Sequence, residues 1–122
     1  MTSRTLGSKL TLGLILLISL ALMMGSSAQE AATMDELAHI PAAYSYVHNL
    51  DYRLNPEHPP LVKIAAGIPL LLLDLNFPTE NDYWKSKVNP QWDMGTLFLY
   101  ESGNDADQII QFARLGPIAL PL

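Results

Sequence analysis

Two short groups of residues in this chain have the types and spacing to do chemistry. Asp35 and Glu36 are adjacent, and His39 follows one helical turn later. Glu57-His58-Pro59-Pro60 then runs into an apolar segment that carries Lys63. A carboxylate can take a proton from a hydroxyl, and an imidazole can orient it or share the proton. So much acid, histidine, tyrosine and proline between Asp35 and Lys63 suits a phosphorylated or sugar-bearing substrate handled at a membrane face. On that reading Asp35 is a general base directed into a cleft, with Glu36 or His39 orienting it. The same residues have plainer uses. Thr33 or Asp35 can cap a helix, and Thr33 with Glu36 three residues later has the capping-box pattern. His39 can be an interfacial residue. Lys63 can meet a lipid phosphate, or simply snorkel or sit in solvent. No metal site is read here, because there is no His-x-x-x-His, no third ligand nearby and no cysteine in the chain. No cofactor is expected, and metal dependence is left open.

The elements that must hold these residues are short. The periodicity predicts a helix beginning near Asp35, broken by Pro41 into two pieces because proline removes a backbone donor. Asn49 to Asn55 reads as a surface crossing. Pro59-Pro60 fits the first turn of a helix over Leu61–Ile68, which Pro69 ends or bends. Leu61 to Leu73 is too short to span a bilayer and is expected to lie along its surface. Phe77 to Met94 is loop-like, with Trp84 and Trp92 among scattered charges. Met94 to Tyr100 fits either a strand or a helical turn. Asp105 is placed to cap a helix that runs through Ala113.

Composition limits the partners. The chain has 122 residues with 49% hydrophobic and 16% charged, the latter below the roughly 25% of soluble domains. Arg4 and Lys9 precede the uncharged run Leu10–Gly25, and all 12 acids follow it. No basic patch is available for nucleic acid. The run is long enough, counted back past Lys9, to cross the hydrocarbon core, and the preceding bases place the N-terminus on the cytoplasmic side. A cleaved leader ending near Ser26-Ser27-Ala28 also fits, followed by a secreted or single-pass acidic binding domain. The expected layout is a cytoplasmic N-terminus (1–9), a transmembrane helix (10–28), an external loop (29–108) and the start of a second membrane helix (109–122).

The order Asp35-Glu36, His39-Ile40-Pro41, Ala43-Tyr44, then Asp51-Tyr52-Arg53-Leu54-Asn55-Pro56-Glu57-His58-Pro59-Pro60-Leu61 resembles a family of bacterial membrane glycosyltransferases. It is the dolichyl-phosphate-mannose protein mannosyltransferase-like family of the glycosyltransferase C superfold. Trp92, Gly95, Phe98-Leu99-Tyr100, Gly103-Asn104 and Arg114 continue the resemblance. Ala42-Ala43 departs from the Ala-Gly common in relatives. The resemblance implies a mainly α protein in which one transmembrane helix leads into an external region of short membrane-parallel helices. It also implies that this stretch is the N-terminal part of a longer polytopic enzyme and is inactive alone. The implied reaction is hexosyl transfer from a polyprenyl-phosphate sugar to an acceptor hydroxyl, at the outer face of the bacterial inner membrane. Asp35 matches the family's acid and Glu36 its neighbour. His58 and Arg114 fall on the side of the donor phosphate, with Lys63 as a weaker helper and His39 and Glu57 as support.

Overall fold

The computed structural model describes residues 2–120, with side chains from residue 6 onward. Among these residues all regular structure is helical. Helix α1 (Thr2–Ser27) is followed by α2 (Met34–Tyr44), α3 (Pro60–Leu70), α4 (Asp82–Lys85), α5 (Gln91–Thr96) and α6 (Ala106–Ala119). Two π-helical segments, Ser45–Asn49 and Leu97–Glu101, extend α2 and α5.

Within α1, Leu6–Ser27 is a 22-residue stretch long and apolar enough to cross a membrane, and it is unburied by the rest of the chain. The exposed faces of Leu10, Leu14, Leu17 and Leu22 therefore need a non-aqueous neighbour. The remaining helices form a separate bundle around α2, which packs against α3 and α5 and touches α6. Its largest cluster holds Ile40, Tyr44, Leu70, Phe98, Leu99, Ile109, Ile110 and Ala113. A second cluster gathers Ala42, Tyr46, Leu54, Trp84 and Met94 on the other side of α2. Removing a side chain such as Phe98 or Leu70 from water contributes roughly 1.5–3 kcal/mol, so these clusters are the main source of cohesion in a bundle without disulfides.

Pro41 does not break α2. The helix runs through it to Tyr44 and widens into the π-helical turn only afterwards. Proline leaves the carbonyl four residues earlier without its helical donor. Here that carbonyl is Leu37 O, and it is covered by the bare Cα face of Gly95 on α5. The device recurs: Pro69 in α3 frees Ala65 O, and Gly116 on α6 lies against it. Each proline thus exposes a backbone oxygen inside the bundle, and a glycine of a neighbouring helix comes close enough to cover it, an approach suited to Cα–H···O contact.

Other boundaries follow the local chemistry. Thr33 is the N-cap of α2, and its N–H donates to Glu36 Oε2 at 2.7 Å to complete the capping box. Pro60 opens α3 at its first turn, and Asp105 caps α6 by accepting from the Gln108 N–H at 3.0 Å. Met94–Tyr100 forms no strand; it belongs to α5 and the π-helical turn after it, with Phe98 and Leu99 fully buried. The π-helical turn after α2 ends at Leu50, which takes a left-handed φ of 54°.

Candidate functional site

A cleft of about 390 Å³ opens between α2, α3 and α6. Five of the seven candidate residues line it: Glu36 and His39 from α2, His58 just before α3, Lys63 from α3, and Arg114 from α6. Ile40, Pro59, Val62, Ala66, Ala113 and Pro117 supply an apolar wall. Asp35 and Glu57 do not line it.

Lys63 is 4% exposed, unusual for a lysine. Its ammonium donates to Tyr46 Oη at 3.2 Å, to the His58 carbonyl at 3.2 Å and to the Asn55 carbonyl. All three acceptors are neutral, and none of the ion pairs among the described residues includes Lys63. Its hydrogen bonds are satisfied while its charge is not. Burial lowers its pKa, and Glu57 opposes that shift. Tyr46 and Asn55 are functional partners that sequence reasoning missed. Tyr46 shares the stripe of Asp35 and His39 along α2, but its hydroxyl turns to the loop and also donates to the Leu54 and Asn55 carbonyls at 2.9 and 3.0 Å. Asn55 has a left-handed φ of 51°, a conformation that asparagine tolerates better than most residues. That turn presents its carbonyl to Lys63.

His39 and His58 meet in the lining of the cleft, with ring centroids 5.2 Å apart in an edge-on arrangement. Burial lowers the pKa of His39; Lys63 and His58 add to the shift, and Asp35 opposes it. Glu57 points elsewhere. Its carboxylate accepts from Asn89 Nδ2 at 2.9 Å, and Asn89 Oδ1 in turn accepts the Asn55 N–H, so Glu57 braces the loop that cages Lys63.

Arg114 spends its whole guanidinium within the chain. Nε and one terminal nitrogen grip both oxygens of Glu36 at 2.7 and 2.8 Å. The remaining three N–H groups reach the carbonyls of Ser27, Glu30 and Ala31 at 2.6, 2.8 and 3.0 Å. All five donors of the group are thereby used. They tie α6 to the end of α1, to the following linker and to the start of α2. Burial works against an ionised Glu36, but the hydrogen bonds from Arg114 and Thr33 prevail and hold its pKa below the ordinary value. Arg114→Lys keeps the charge but cannot reproduce the fork. It should lower stability by about 2 kcal/mol, read from thermal unfolding in detergent; unchanged stability would show that the clamp contributes nothing.

Asp35 sits at the second position of α2, exposed, and makes no hydrogen bond or ion pair among the described residues. Its carboxylate is the free one of the pair, whereas both Glu36 oxygens are occupied. No cluster of three or more metal-ligating side chains exists among the described residues. Comparison with protein-family models, with curated proteins and with solved structures finds no match to this chain.

Proposed function

We propose that this chain forms the donor-handling part of a membrane glycosyltransferase, one that moves a hexosyl group from a polyprenyl-phosphate sugar to an acceptor hydroxyl. The observation that carries this reading is the buried Lys63 ammonium, without a carboxylate partner, in a cleft with an apolar wall. A cation left uncompensated in a low-dielectric site favours an anion beside it. The apolar wall suits the lipid attached to that anion. His58 bonds the donor phosphate, Lys63 attracts it by its charge with its three donors kept within the chain, and Arg114 contributes the fixed position of the cleft wall. As the acceptor oxygen bonds to the sugar's anomeric carbon, its proton passes to Asp35. The bond from that carbon to the phosphate oxygen breaks, and polyprenyl phosphate leaves with both electrons of that bond. Cations near the leaving phosphate stabilise the charge it develops.

In this reading α1 crosses a bacterial inner membrane and residues 29 onward lie outside, because the bases flank the helix at its N-terminal end. A cysteine placed at Val88, which is 96% exposed, should react with an impermeant reagent in intact spheroplasts. Labelling only after the membrane is opened would reverse the orientation.

The binding test compares a polyprenyl-phosphate hexose with the uncharged polyprenol of equal length, on protein in neutral detergent. The phosphate lipid should bind at least about tenfold more tightly, and His58→Ala should weaken it by roughly tenfold, the worth of one charge-assisted hydrogen bond. His58 is exposed, so its removal leaves the core alone. Equal affinity for the two lipids would end the donor reading.

A further inference from the structure

Resting on the cleft's reading as a site for a lipid phosphate, we propose that the His39–His58 pair makes binding proton-coupled: the cleft takes up a proton as a phosphodiester headgroup enters. The two rings lie edge to face in the wall of one cleft, 5.2 Å between centroids. The buried ammonium of Lys63, which has no carboxylate partner, donates to the His58 carbonyl and acts on His39 by its charge. Burial, Lys63 and His58 all weigh against a charge on His39, so the empty cleft favours its neutral ring. A phosphate in the cleft beside the two rings reverses the balance, since a protonated His39 then gains a charge-assisted hydrogen bond.

The surrounding charges support this direction. On its own helix His39 has Asp35 one turn back, which favours the protonated ring, and Glu36, whose oxygens Arg114 of α6 already engages. Lys63 of α3 and His58 before it disfavour protonation. On α5, the other element against α2, Asp93 is exposed and pairs with Lys87 at 3.6 Å. Glu57 is turned to Asn89. Burial together with Lys63 and His58 holds the pKa of His39 below its ordinary 6.5. A histidine lowered in this way destabilises the empty fold as pH falls below that ordinary value, and an anion that restores the pKa removes the penalty. Affinity therefore rises as pH falls.

The probe is dihexanoyl phosphatidylglycerol, whose diester phosphate keeps one charge from pH 5 to 8, so any pH dependence belongs to the protein. It is titrated into the full chain in neutral detergent at pH 7.5 and 5.5, while the histidine ring signals are followed by NMR. Affinity should rise about tenfold across this range, which corresponds to an average uptake of roughly half a proton, and the His39 signal should titrate at higher pH with lipid present. His39→Gln should flatten the profile yet keep binding at pH 7.5. Asp35→Asn, a change at an exposed position, should move the midpoint downward and serves if His39→Gln fails to fold. Dimethyl phosphate, the same diester without chains, should bind at least tenfold more weakly; equal binding would overturn a lipid as the occupant. Binding with a flat pH profile and an unmoved His39 signal overturns the proton coupling while leaving the phosphate site intact. Absence of binding at either pH overturns the reading of the cleft itself, and the coupling with it.

Discussion

Gly116→Ala should cost the fold about 3 kcal/mol or more and lower the melting temperature by roughly 10–20 °C. A Cβ on Gly116 would overlap the Ala65 carbonyl, and one on Gly95 would overlap Leu37 O. Both obstacles are backbone, which cannot yield as the tip of a long side chain can. To make room α6 would have to lift off α3, the most extensive helix pair in the bundle, and the lining of the cleft would part with it. Gly95→Ala should behave in the same way at the α2–α5 contact. Gly13→Ala is the control, since nothing lies within 4 Å of that position, and alanine there should be neutral or slightly stabilising. Thermal unfolding of the three variants in one detergent separates these outcomes. Gly116→Ala melting with wild type would mean that the helices do not approach as described.

On the proposed function, Asp35→Asn should reduce hexosyl transfer by roughly a hundredfold or more. The folding cost should be small. Thr33 supplies the N-cap, so Asp35 is left with only its share in the helix dipole, worth about 0.3–1 kcal/mol. Asparagine fits the same space but cannot take the acceptor's proton. Glu36→Gln is a different experiment, because it strips Arg114 of its carboxylate and removes part of the capping box. It must therefore be compared at matched amounts of folded protein, by transfer from a polyprenyl-phosphate hexose in detergent. Near wild-type turnover in Asp35→Asn would take Asp35 out of the mechanism. A larger loss in Glu36→Gln at matched folding would pass the base to its neighbour.

Much of the helical framework is legible from local signals. The Thr33–Glu36 capping box, Pro60 in a first turn, Asp105 before α6 and the uncharged run of α1 each depend on near neighbours. What escapes such reading is non-local. Pro41 looks like a break because its own helix loses a donor, and only Gly95, distant in sequence, makes the exposed carbonyl tolerable. Met94–Tyr100 is too short for periodicity to choose between strand and helix, and burial of Phe98 and Leu99 against α2 and α6 decides it. The convergence of His39, His58 and Lys63 was not deducible from spacing, nor was the cage of Tyr46 and Asn55 around the ammonium. Arg114 is the sharpest case. The resemblance implies a phosphate ligand, yet the five donors of this arginine are all spent on α1, the linker and α2.

That guanidinium also orders events during synthesis. Its partners, Ser27 through Glu36, are made first, and the arginine that joins them comes 78 to 87 residues later. Until α6 leaves the ribosome and packs against α2, Glu36 lacks this cation and the carbonyls at the end of α1 lack these donors. Closing so long a loop is slow compared with forming the local turns. The early helices therefore wait unlocked, open to quality-control proteases. A ribosome-bound chain stalled before residue 114 should be cut in the 28–33 linker, and the released chain should resist.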